Sequence, residues 1–230
     1  MKIFTYPGIF LLVANFLALP VFGEEKTAVV IQEPSTDFCR LGKNQSPINI
    51  ENPIPVDLDS PDFQYGEIGL VIHEDKTIGV VGRSSVRIAG KNYALKRIHF
   101  HSPAETLIAG ESYEVEIQLV YQNGVGRAVI VAVFLTVGAG NPEIAKIIDA
   151  IEQNTSATVD LRGLLPEKQG YYSYAGSMTV PPCLEGVHWF VMKTPLNLAP
   201  DQLLALTRTI ATPGRNPQPL NGRNIWAKIW

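Results

Sequence analysis

From Cys39 onward the chain is cut into short β-prone runs by Gly, Pro, Asn and Asp, and this punctuation limits the possible fold more than any other feature. The runs cover residues 69–72, 78–81, 86–89, 95–100, 113–121, 128–137, 172–174 and 187–192. They predict a mainly β protein. Two stretches follow a helical period instead. Residues 142–153 begin with Pro142, and residues 200–210 carry an apolar stripe of Leu203, Leu204, Leu206 and Ile210. Both helices are expected to pack on the sheet rather than to recruit partners. With 230 residues and neither internal repeat nor low-complexity tract, one domain is expected.

The N-terminus has the pattern of an export signal. Lys2 supplies positive charge, residues 9–19 form an apolar run, and the residues up to Gly23 suit a cleavage site before Glu24. The rival reading is an uncleaved anchor, but the run is shorter than the roughly 20 residues that cross a bilayer. The predicted layout is a signal peptide over 1–23, a tether over 24–37 and a domain over 38–230. The expected location is periplasmic or secreted, with no membrane contact after cleavage. A net charge of −3 leaves no basic footprint for nucleic acid.

Cys39 and Cys183 are the only two cysteines. In an oxidising compartment a single distant pair reads most simply as one disulfide, and otherwise as two buried thiols.

Two of the four histidines stand as His99-Phe100-His101 within a β-prone run. Residues two apart on a strand face the same side, so both imidazoles point together and Phe100 points away. That is a two-point grip for a transition metal, or a polar pair in a core. The next long run places Glu114, Glu116, Gln118 and Val120 on one face. A catalytic zinc takes three protein ligands and leaves the fourth position to water, so a third ligand belongs on this run.

Four blocks then carry a resemblance. They are Gln45-Ser46-Pro47-Ile48-Asn49-Ile50, His99-Phe100-His101-Ser102-Pro103-Ala104-Glu105, Gly176-Ser177-Met178-Thr179-Val180-Pro181-Pro182-Cys183 and Gln218-Pro219-Leu220-Asn221-Gly222-Arg223. In order and spacing they are similar to the signature blocks of α-type carbonic anhydrases, over about residues 39–223. The resemblance implies a single-domain fold built on a large twisted, mostly antiparallel sheet with short peripheral helices. It also implies a Cys39–Cys183 disulfide, as in bacterial members.

The family holds Zn2+ with three histidines. The resemblance puts His99 and His101 on the first two ligands and Gln118 on the third. Thr179 matches the threonine that accepts a hydrogen bond from the hydroxide on zinc, and Glu105 matches the glutamate that orients that threonine. Val120, Ile130, Met178, Val187 and Trp189 match the apolar wall where carbon dioxide rests.

The departures cluster around the metal. Gln118 replaces an imidazole with an amide oxygen, a poorer donor to a borderline-soft ion, so weaker zinc affinity is expected. Arg97 stands where the family has a glutamine accepting from the first histidine, and a guanidinium only donates. Thr106 replaces a further histidine, and Glu116, which would support the third histidine, adjoins Gln118. An Arg97–Glu116 pair is expected to stand in partly for the metal. The family's proton-carrying histidine falls on Lys76, with His73 either its stand-in or an exposed turn residue. His188 has no assigned role.

These features imply zinc-dependent, reversible hydration of carbon dioxide to bicarbonate, slowed by Gln118. The alternative they leave is a carbonic anhydrase-related binding protein without turnover. A generic exported β-rich binding domain accounts for the composition but not for the ordered blocks.

Overall fold

The computed structural model describes residues 37–73, 77–210 and 214–228. The expected signal peptide, all but Asp37 of the tether, and Lys76 lie outside the described residues. Thirteen strands among those residues join in one sheet. Ten form its continuous path: β1 (Ile54–Val56), β2 (Glu67–Ile72), β3 (Ile78–Val81), β4 (Lys91–His101), β5 (Val115–Gln122), β6 (Ala128–Val137), β7 (Ala157–Asp160), β8 (Tyr171–Ser177), β9 (Glu185–Met192) and β10 (Trp226–Lys228). Across the sheet they run β7-β2-β3-β4-β5-β6-β9-β8-β10-β1. Neighbours on this path are antiparallel except β6–β9 and β10–β1, so the expected mostly antiparallel sheet holds with a parallel pair near its centre.

Among the described residues three α-helices flank the sheet: α1 (Phe38–Leu41), α2 (Pro142–Gln153) and α3 (Pro200–Ile210). Helix α2 starts where its residues dictate. Asn141 accepts from the amides of Glu143 and Ile144, Pro142 occupies the first turn, and Asn154 ends the helix in the left-handed region. The predicted stripe of α3 is corrected at one position. Leu206 is buried against the core, but Leu204 is 52% exposed, because only residues three or four apart share a helix face and Leu203 and Leu206 already define the packed one.

Strands β5 and β6 are buried on both faces, which explains how β5 can carry Glu116 and Gln118 indoors. Ile117, Leu119 and Tyr121 face the core beneath Ile144, Ile147 and Leu206 of the helices. The opposite face of the same strand presents Glu116, Gln118 and Val120. There Val120, Ile130, Ala132, Phe134, Trp189 and Val191 form a second apolar cluster, closed by Ile48 and Ile225 from the chain ends. The site is built on this second face.

Candidate active site

The register of β4 on β5 assembles the polar centre. His99 lies opposite Gln118 and His101 opposite Glu116, so the four side chains share one face. Phe100 packs into the helix-side core, as the alternation predicts. His101 is buried, and neither of its ring nitrogens makes a hydrogen bond, although Nδ1 lies 3.4 Å from Glu105 Oε1. Burial pushes this imidazole below its ordinary pKa, against an opposing pull from the Glu105 carboxylate and the Gln118 amide. That direction favours the neutral imidazole, the form that a metal ligand takes.

Gln118 is held by two carboxylates. Its Nε2 donates to Glu105 Oε2 at 2.9 Å and to Glu116 Oε1 at 3.1 Å. Glu116 is wholly buried and also accepts from the backbone amide of Thr106 at 2.8 Å and from its hydroxyl at 3.1 Å. Desolvation nevertheless outweighs these bonds and pushes the Glu116 pKa up to about 7.

The expected Arg97–Glu116 pair does not form. Arg97 shares a strand face with His99 but is exposed, whereas Glu116 spends its oxygens on Thr106 and Gln118 inside. Withdrawing a guanidinium from water to reach Glu116 would cost more than an already satisfied carboxylate returns.

Thr179 is buried on the loop after β8. That loop is pinned by Trp189 Nε1 donating to the Ser177 carbonyl at 2.9 Å and by the Met178 amide donating to the Leu184 carbonyl at 3.0 Å. A Cys39–Cys183 disulfide closes it against α1. Among the described residues no hydrogen bond joins Thr179 to Glu105, whose carboxylate is taken by Gln118 and by the Arg215 amide.

The five apolar residues anticipated for a substrate wall do come together. Val120, Ile130, Val187 and Trp189 belong to one buried cluster, and Met178 packs on it. Met178 and Val187 also line an adjoining cavity of ≈ 440 Å³, with Val125, Arg127 and Leu184 at its lip.

Arg215 escaped the sequence reading. Its amide donates to Glu105 Oε1 at 2.6 Å, and its guanidinium binds Gln45 Oε1, the Ser46 carbonyl and the Cys39 carbonyl. A Cβ on Gly214 would stand 2.9 Å from Glu105 Cγ, so a glycine there lets the loop close over the carboxylate. No periodicity marks a lone arginine in a Gly- and Pro-rich loop.

Among the described residues no three His, Cys, Asp or Glu side chains converge on a metal position, since the third place holds an amide. The donors that do converge still fit a divalent ion. His101 has two ring nitrogens without hydrogen bonds, His99 shares its face, and the bonds of Gln118 Nε2 to acceptor-only carboxylates turn the amide oxygen away from them.

The sequence model of eukaryotic-type carbonic anhydrases matches residues 32–229. A carbonic anhydrase of Klebsiella pneumoniae is 36% identical over 200 residues, covering 81% of each chain. The α-carbonic anhydrase of Thermovibrio ammonificans, solved with sulfanilamide, superposes with a TM-score of 0.78 at 35% identity, over 84% of this chain and 91% of that one. A dioscorin solved with ascorbate superposes with a TM-score of 0.76 at 30% identity, over 85% and 90%.

Proposed function

The chain belongs to the eukaryotic-type carbonic anhydrase family, and on that premise we propose that it catalyses reversible hydration of carbon dioxide to bicarbonate, with zinc held by His99, His101 and Gln118. One observation carries the reading: two buried or half-buried imidazoles and one oriented amide share a face beside an apolar wall. Zinc, when bound in such a site, lowers the pKa of its water to about 7.

The chain's own residues supply the rest. His99 and His101 offer ring nitrogens, and Gln118 offers its carbonyl oxygen. Thr179 is assigned to accept a hydrogen bond from the attacking oxygen and so fix its direction. Val120, Ile130, Met178, Val187 and Trp189 exclude water and hold an apolar gas against the polar centre. Gln118 lowers metal affinity and hence the rate at limiting zinc.

We assign the protein to an exported location. The N-terminal pattern and the disulfide support it, and no helix among the described residues is long and apolar enough to cross a membrane.

A second reading, small-molecule binding without turnover, is favoured by the amide at the third ligand position. The likeness to a dioscorin solved with ascorbate makes small organic acids its first probes.

The test is the initial rate of carbon dioxide hydration by the chain from Glu24 onward, with excess zinc and with a metal-free control. Zinc-dependent hydration that His101→Ala abolishes supports the enzyme. A rate equal to buffer with zinc demonstrably bound supports the binding protein.

A further inference from the structure

Glu105 and Gln118 lie thirteen residues apart, on a turn after β4 and in the middle of β5, yet a single 2.9 Å hydrogen bond joins their buried side chains. We propose that Glu105 is a positioning residue for Gln118, turning and polarising its amide oxygen towards the metal position, and that it no longer serves Thr179. This rests on the zinc-site reading given above.

The argument is stereochemical. A primary amide carries two N–H protons, and a carboxylate only accepts. Glu105 Oε2 takes one of the Gln118 protons and Glu116 Oε1 takes the other. The planar amide group then has no rotational freedom, and Oε1 is turned away from both carboxylates. His99 lies directly across the strand pair on the same face. Hydrogen-bonded groups polarise one another, and two acceptors on the N–H side draw charge onto the amide oxygen. A poor metal donor becomes a better one.

Glu105 is itself fixed. The Arg215 amide holds its other oxygen at 2.6 Å, and the Arg215 guanidinium ties that loop to Gln45, Ser46 and Cys39. Glu105 thus has no carboxylate oxygen left without a strong donor, and Thr179 has no hydrogen bond to it among the described residues.

An imidazole at position 118 behaves differently. With one nitrogen on a metal it has a single N–H left, and Glu116, two residues away, suffices to accept it. The role assigned to Glu105 should therefore exist only with glutamine at 118.

The experiment is a double-mutant cycle read by zinc affinity, measured calorimetrically, and by the visible absorption of the Co2+-substituted protein. Glu105→Gln is expected to weaken zinc binding about 10–100-fold in the wild-type background, the usual loss for an outer-shell partner, and to change it little in a Gln118→His background. Equal losses in both backgrounds, no loss in the wild type, or a wild type that binds no zinc would each overturn the proposal. Should Glu105→Gln fail to fold, the side-chain amide protons of Gln118 decide the matter in the metal-free wild type. Both should be protected from exchange, and unprotected protons would overturn it. The predicted affinities with no hydration would instead sink the proposed activity and leave this inference standing.

Discussion

Thr106 donates both its backbone N–H and its hydroxyl to the one carboxylate of Glu116, at 2.8 and 3.1 Å, deep beneath the polar face. Even so, burial raises the Glu116 pKa from the ordinary carboxylate range to about 7. A carboxyl whose folded pKa lies above its unfolded value binds more protons when folded. Its contribution to stability is full below about pH 4.5 and is lost as pH rises through about 7. The cost above that range is on the order of 3 kcal/mol. Urea unfolding of the metal-free wild type and of Glu116→Gln, from pH 4 to 8, measures it. The wild-type advantage over the variant should shrink across that window, and a pH-independent difference would show that Glu116 does not titrate there.

Gln118→His should raise zinc affinity by at least the ~10–100-fold that one supporting partner typically contributes. Hydration at limiting zinc should rise with it. Competition titration against a chelator reports the affinity and stopped-flow hydration the rate. Tighter zinc with no gain in rate would mean that the cleft has been adapted beyond its metal.

His73 folds its ring over Gly79, where a Cβ would meet Nε2 at 2.7 Å. Gly79 is the cross-strand partner of Arg97, two residues before His99 on the cleft face. A proton-transfer role for this exposed imidazole predicts a rate that depends on buffer. In weak buffer, Gly79→Ala and His73→Ala should lower the hydration rate alike, by up to about 100-fold, the low end for a positioned acid–base group. Added imidazole buffer should restore both. A normal rate in Gly79→Ala would remove His73 from the pathway.

The disulfide closes a separation of 144 residues and anchors the loop that carries Thr179. In the chain-entropy model such a link contributes about 5 kcal/mol. Replacing both cysteines with serine should lower the unfolding free energy by about that amount, measured by urea denaturation, and reductant should destabilise the wild type but not the variant. A change below about 1 kcal/mol would mean that strain or residual unfolded structure cancels the entropic gain.

Much of the scaffold was legible before any coordinates. The helix over residues 142–153 is announced by Asn141 and Pro142, whose capping chemistry is local. The shared face of His99 and His101 follows from strand alternation alone. The apolar wall was legible only through family resemblance, because Val120, Ile130, Met178, Val187 and Trp189 come from four separate segments with no common period.

The amino-acid sequence by itself determined where chain direction changes and which residues share a strand face, Glu116 and Gln118 among them. Each of these depends on residue type and on neighbours within a few positions. Only the tertiary structure decided which partner each polar group chose. Glu105 serves Gln118 rather than Thr179, Glu116 takes Thr106 rather than Arg97, and Arg215 reaches back 110 residues to hold Glu105 in place. Those choices rest on competition among buried donors and acceptors, where desolvation penalises any unpaired group and distances of a few tenths of an ångström select the winner.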